Sequence, residues 1–311
     1  MSLVRILLAG AWFAAIPAGA FDLQGHRGAR GLAPENTMAA FERALAIGVT
    51  TLETDVAVTK DDVLVISHDP YLNPDIVRGP DGAWLAAKGP TIQSLTFAEL
   101  SRYDIGRTNP ASNYAKGFPE QQPSDGQRFP KLSDVFALGA PKGVRFNIET
   151  KITPTSAAET PDPETFAKLV VAAIRDAGLT SRVTVQSFDW RTLVAVKKLA
   201  PEIVTVCLTI ETPNNDTVQR SAAGASPWHA GLALADHGHS LPRLVKAAGC
   251  GTWSMFWRNL TPESLAEAHA LGLLVVPWTV NDPVEMARLG NMGIDGIITD
   301  YPNRWGQTLL K

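Results

Sequence analysis

Glu53 and Asp55 stand two residues apart in the apolar run 51–58, and that spacing puts both carboxylates on one side of an extended strand. Glu149 and Lys151 repeat the spacing at the end of a second apolar run. If the fold brings three carboxylates to one place, they repel unless protonated or neutralised by a cation. A hard divalent ion held through oxygen is the simplest resolution. A further polar run, Gly25-His26-Arg27-Gly28, ends the first apolar segment.

The stretch after Asp55 brings another imidazole back to this cluster. Residues 56–59 and 63–67 alternate around Lys60, Asp61 and Asp62, which predicts a hairpin with Asp61 and Asp62 at its turn. Pairing at a constant sum of positions sets Asp55 opposite His68, to within a residue of register.

These side chains need elements to hold them. Short apolar runs alternate with longer amphipathic stretches, the pattern of β/α units. Eight strands are expected, at 21–25, 51–58, 144–149, 183–187, 204–210, 252–256, 273–279 and 295–299. Helices are expected at 37–47, capped by Asn36 and stopped by Gly48, and at 163–177, 190–199, 262–271 and 283–289. Eight such units fit a (β/α)₈ TIM barrel, whose active site lies at the C-terminal ends of its strands. No G-x-G-x-x-G follows the first strand, so a dinucleotide fold loses its main support. Residues 70–130, rich in Gly, Pro, Asn and Asp, are too long for an ordinary connection and carry one short helical signal, 96–103. They read as a small inserted subdomain after the second strand, over one mouth of the barrel. Residues 211–240 form a second excursion, and 21–311 is read as one catalytic domain.

On these strand ends the sequence resembles the glycerophosphodiester phosphodiesterase family. The resemblance rests on His26-Arg27-Gly28, Pro34-Glu35-Asn36-Thr37, Glu53-Thr54-Asp55-Val56, Thr59-Lys60-Asp61, His68-Asp69, Glu149-Thr150-Lys151, Ser187-Phe188-Asp189, Trp278-Thr279-Val280-Asn281 and Asp295 to Pro302, in order along the chain. It implies a barrel with a small insertion, one divalent cation, Ca²⁺ or Mg²⁺, and hydrolysis of glycerophosphodiesters to glycerol 3-phosphate and an alcohol. Carried over by residue, it implies Glu53, Asp55 and Glu149 as metal ligands, His26 and His68 as the acid/base pair, and Arg27 and Lys151 as phosphate contacts. The chemistry agrees: an in-line displacement needs one group to take a proton from the nucleophile and another to protonate the leaving alkoxide. The sequence leaves open which histidine takes which step.

Around this set the expectations are plainer. Trp278 is either a wall of the substrate pocket or a core aromatic, and Gln186 either reaches the pocket or satisfies a neighbour. Glu35 and Asn36 read as helix-start residues, Asp295 and Asp300 as structural partners of the last strand. Thr54 departs from the family's aliphatic residue and Asp62 from its turn glycine. Asp236-His237-Gly238-His239 reads as a polar surface loop, since two imidazoles alone make a poor metal site. Residues 84–87 offer either an apolar entrance, as a phospholipase D-like enzyme acting on lysolipids would need, or the insertion's own small core. A non-catalytic phosphodiester-binding protein would need neither histidine.

Composition bounds the rest. Of 311 residues 45% are hydrophobic and 19% charged, enough apolar content to exclude disorder. The net charge of −3 comes without runs of one sign, so no nucleic-acid partner is expected. Met1 to Ala20 carries Arg5, an apolar run over 6–16 and Ala18-Gly19-Ala20, the order of a secretory signal peptide cut after Ala20. Its apolar run is too short for a stable membrane span. A periplasmic or secreted location follows as the expectation. There Cys207 and Cys250 could pair or remain two small buried hydrophobes.

Overall fold

The computed structural model describes residues 21–155, 158–221 and 224–307; the expected signal peptide lies outside them. Eight parallel strands form the barrel wall: β1 (Asp22–Gly25), β2 (Thr51–Val58), β4 (Arg145–Thr150), β5 (Val183–Ser187), β6 (Val204–Thr209), β9 (Thr252–Met255), β10 (Leu274–Val275) and β11 (Gly296–Thr299). A short strand, β3 (Leu64–Ile66), adds antiparallel to β2, and β7 (Glu211–Thr212) pairs with β8 (Asn215–Asp216) in the second excursion. β11 returns beside β1, aligning Gly25 with Thr299. Between β10 and β11 three backbone hydrogen bonds close the ring: Asp295 N–H to Val275, Ile298 N–H to Pro277, and Val280 N–H to Ile298.

The helices are α1 (Met38–Ile47), α2 (Phe97–Leu100), α3 (Leu132–Gly139), α4 (Pro163–Asp176), α5 (Trp190–Leu199), α6 (Leu241–Ala247), α7 (Pro262–Ala270) and α8 (Pro283–Met292). Three begin with a polar cap followed by proline, Asp162-Pro163, Thr261-Pro262 and Asp282-Pro283. The cap satisfies an orphan N–H and the proline supplies helical φ where no N–H is needed. Their apolar faces, with Phe41, Phe146, Phe166, Trp190 and Trp253, build the main core between helices and sheet.

Several expectations need correcting. The cap of α1 is Thr37, whose hydroxyl accepts from Ala40 N–H; Asn36 takes another role, described below. The hairpin pairs Val56 with Ile66 and Val58 with Leu64, one residue off the expected register. Its loop spans Lys60, Asp61 and Asp62, with Asp62 at φ +59°, so the turn has three residues and a left-handed last position. Asp55 therefore lies opposite Ser67, whose N–H donates to the Asp55 carbonyl. The seventh strand is regular only over two residues, because Pro277 has no N–H for the ladder. α3 and α6 were not expected; both are short enough that periodicity decides little.

The insertion has its own core of Leu72, Ile76, Val77, Ile92, Leu100, Ile105 and Phe129, resting on Ala57 and Val65 of the hairpin. Leu85 packs against it and Arg78 stacks over Trp84 at 5.5 Å, so this stretch serves the insertion's own core. His237 and His239 lie on a surface turn, as expected. Cys207 in β6 is disulfide-bonded to Cys250, just before β9. Among the described residues no helix is long and apolar enough to cross a membrane.

Candidate active site

Register alone brings the three carboxylates together. Glu53 and Asp55 share a side of β2, and Asp55 is aligned with Glu149 on β4. Each is buried, and each offers an oxygen within 4.8 Å of the others'. Among the described residues this is the one group of metal-binding type. Burial, then the neighbouring Asp55 charge, pushes the Glu53 carboxyl well up, and burial likewise raises Glu149. Asp55 goes the other way: burial opposes its charge, but Arg27 and Lys151 outweigh it and hold the carboxyl well down.

This donor set suits a divalent cation. It is made of carboxylate oxygens, the ligands of Mg²⁺ and Ca²⁺. Asp55 Oδ1 is buried without a hydrogen-bond donor, an expensive state for a carboxylate oxygen unless a cation completes it. Arg27 Nε lies 3.2 Å and Lys151 Nζ 3.7 Å from Asp55, and Lys151 Nζ lies 2.6 Å from Glu149. Asn36, at φ +56°, turns its amide inward and donates to Asp55 at 2.9 Å.

The loop after β1 delivers His26 and Arg27. Arg27 sits at φ +50° and Gly28 at φ +84°. A Cβ on Gly28 would lie 2.6 Å from the Ala40 backbone, so only glycine lets the turn lie against α1. The Arg27 guanidinium bonds Glu35 at 2.7 Å, and the Tyr114 hydroxyl, from the insertion, donates to the same carboxylate. Glu35 is thus the counter-ion of Arg27 rather than a helix-start residue.

Each histidine leans on an aspartate. His26 Nδ1 lies 2.7 Å from Asp300, which is also held by Arg30 and by the Asn281 amide. His68 Nδ1 lies 3.0 Å from Asp69, itself held by Asn73. A ring that donates Nδ1–H to a carboxylate keeps Nε2 for chemistry. Burial, then the nearby Arg30 charge, brings His26 down to about 4 against the pull of Asp300. It is neutral at ordinary pH.

His26, Arg27, Glu53, His68, Glu149, Lys151 and Trp278 all line one cleft of about 140 Å³. Trp278 is a wall, edge-on to Phe188 at 5.4 Å. Gln186 also reaches the cleft and donates to Glu53. The sequence reading missed Arg30 and placed Asp300 and Asn36 in structural roles. Only the chain's closure reveals Asp300, since its partner His26 lies just after the strand at the opposite end of the chain. A second compartment of about 310 Å³ adjoins the cleft across His68, Lys151 and Phe188, and is walled by Tyr71, Ile152, Glu159, Asn215 and Trp228.

A model of the glycerophosphoryl diester phosphodiesterase family matches residues 26–304. The glycerophosphodiester phosphodiesterase of Caldanaerobacter subterraneus subsp. tengcongensis is 30% identical over 277 residues, covering 89% of this chain and 93% of its own. A crystal structure from Silicibacter pomeroyi, of a protein assigned to the glycerophosphoryl diester phosphodiesterases, superposes with a TM-score of 0.82 at 32% identity, covering 93% of each chain. An Oleispira antarctica phosphodiesterase, solved in complex with its product sn-glycerol 3-phosphate, shares the fold at a TM-score of 0.68 and 22% identity, over 93% of this chain and 97% of that one.

Proposed function

Since this chain belongs to the glycerophosphoryl diester phosphodiesterase family, we propose that it hydrolyses glycerophosphodiesters to sn-glycerol 3-phosphate and an alcohol, with Glu53, Asp55 and Glu149 holding one divalent cation, Ca²⁺ or Mg²⁺. The observation that carries this reading is the cluster of three carboxylates within 4.8 Å of one another, two of which, Glu53 and Glu149, line one cleft with two aspartate-backed histidines, an arginine and a lysine, while Asp55 lies buried behind them. The cation, when bound, would polarise the phosphoryl group and offset its charge.

The rest falls to the side chains. Arg27 and Lys151 neutralise charge building on the phosphoryl oxygens. His26, neutral and held by Asp300, takes the proton of the glycerol 2-hydroxyl as that oxygen bonds to phosphorus. His68, whose ring also borders the larger compartment, gives a proton to the departing alcohol as the phosphorus–oxygen bond breaks. The cyclic phosphate is then opened by water, with His68 taking the water's proton and His26 returning one to the 2-oxygen. The larger compartment is the place for the alcohol.

Export to the periplasm or medium, with cleavage after Ala20, belongs to the same reading. The Cys207–Cys250 bond supports it, because such bonds persist in oxidising compartments.

The test is release of sn-glycerol 3-phosphate from glycerophosphocholine by the chain from Phe21. Turnover lost with EDTA and restored by Ca²⁺ or Mg²⁺ is the expected outcome. Folded protein without turnover in either ion overturns the reading.

A further inference from the structure

A barrel of this kind is usually filled by layers of branched aliphatic side chains, yet a row of amides runs through this one. Gln24 on β1, Asn147 on β4 and Gln186 on β5 are each buried. Asn147 Nδ2 donates to Gln24 Oε1 at 2.9 Å and to Gln186 Oε1 at 2.8 Å. Gln186 Nε2 donates to Glu53 Oε1 at 2.8 Å. At the other end Gln24 Nε2 donates to Asp22 Oδ2 at 2.8 Å. Asp22 is anchored in turn by Thr50, Thr51 and Arg145. The row thus joins an acid at the N-terminal face of the barrel to the carboxylate cluster at the other.

The direction of every amide in this row is fixed by chemistry. A carboxylate only accepts hydrogen bonds, while an amide offers NH₂ on one side and C=O on the other. Glu53, ionised when it holds a cation, and Asp22 therefore each draw an NH₂ toward them, which turns the carbonyls of Gln186 and Gln24 inward, to face one another. Something between them must donate twice. The Asn147 NH₂ does so, and its own carbonyl is satisfied by the Thr184 hydroxyl at 2.8 Å. Aspartate, of almost the same size, has no such pair of donors. The consequence reaches Glu53, whose Oε1 accepts from Gln186 and whose Oε2 accepts from Arg27 N–H at 2.8 Å. With one donor on each oxygen, the plane of this carboxylate is set.

We propose that Asn147 is a positioning residue for the cation site: by donating to both flanking glutamines it keeps the Gln186 NH₂ turned toward Glu53 and holds that carboxylate in the orientation that binds the ion. This rests on the reading of Glu53 as a ligand. In Asn147→Asp, both glutamines must turn to donate inward, which points the Gln186 carbonyl at Glu53.

The test is calorimetric titration of Ca²⁺ and of Mg²⁺ into the metal-stripped protein, with thermal melting of each variant alongside. Wild type binds at least one ion and Glu53→Gln loses most of that binding. Asn147→Asp weakens it by about tenfold to a hundredfold, the range for groups that orient a ligand. Gln186→Met, which removes the donor beside Glu53, has a similar effect. In the double variant Asn147→Asp adds no further loss, because its effect travels through Gln186; a merely structural role would give additive losses. If Asn147→Asp does not fold, Gln186→Met carries the same expectation alone. Binding by Asn147→Asp, or failing that by Gln186→Met, that is weakened less than tenfold while Glu53→Gln abolishes it overturns the proposal, as do additive losses. No binding by wild type, or full binding by Glu53→Gln, instead overturns the assignment of Glu53 as a ligand, and the proposal falls with it.

Discussion

His26 Nδ1 lies 2.7 Å from Asp300 Oδ1, across 274 positions of sequence. The first and last barrel strands are neighbours, so the end of one supplies the ring and the end of the other the carboxylate that fixes its tautomer. Asp69 plays the same part for His68 at the next residue in the chain.

Asp300→Asn would leave the shape of this pair and remove its acceptor-only character. The amide can meet the ring in the wrong tautomer, as happens where an aspartate orients a catalytic histidine. The expected result is a fall in kcat of about 10²- to 10⁴-fold with KM little changed. Steady-state kinetics at saturating metal would check it, and an unchanged kcat would remove Asp300 from the mechanism.

His229 is buried against Trp190, with ring centroids 4.3 Å apart and both ring nitrogens without a hydrogen-bond partner. Burial lowers it to about 4, against a weak upward pull from Asp216. The unfolded chain, titrating near pH 6.5, then binds more protons than the folded one between about pH 6.5 and 4, so stability falls as pH falls through that window. His229→Phe removes this dependence, worth up to about 3 kcal/mol between the two limits. Urea unfolding of both proteins at pH 7 and 4.5 would show it; parallel losses would refute it.

The Cys207–Cys250 bond closes a loop across 43 positions. Cross-links of this kind stabilise by about 2–4 kcal/mol, chiefly by restricting the unfolded chain. Cys207→Ser with Cys250→Ser is expected to lower the melting temperature by several degrees while kcat stays within about twofold, since neither sulfur is in the cleft. Melting with and without a reductant gives the same comparison in the natural chain. A melt insensitive to both would mean the bond contributes nothing.

Tyr71 and Trp228 wall the compartment proposed for the alcohol. Trp228→Ala is expected to change kcat/KM for glycerophosphocholine by about five- to tenfold relative to glycerophosphoglycerol, the scale of one lost pocket contact. Competition between the two substrates would measure that ratio directly. An unaltered ratio would place the alcohol elsewhere.

Much of the site was legible because strand spacing and cap chemistry are local. Glu53 with Asp55 follows from a period of two, and three helix starts follow from a cap before proline. Asn36 misled because its residue type suits a helix cap, while Thr37 next to it took that role and freed the amide for Asp55. The hairpin register slipped by one because Asp62 adopts left-handed φ, lengthening the loop to three residues. Arg30 and Asp300 were hidden for another reason. Their roles are set by contacts between the ends of the chain, and no local pattern encodes those.

The barrel closes between β10 and β11 through three backbone hydrogen bonds rather than a continuous ladder. Such a seam is where a closed sheet opens most cheaply, and native-state amide exchange reads that opening directly. The N–H groups of Val280 and Ile298 should exchange sooner than that of Ile148, deep in the β2–β4–β5 region. Asn281, next to Val280, holds Asp300 together with Arg30, so each such opening loosens the carboxylate that orients His26 by leaving its hold to Arg30. Mild heating is therefore expected to silence the enzyme reversibly before the barrel as a whole comes apart, with activity fading ahead of the loss of helical circular dichroism.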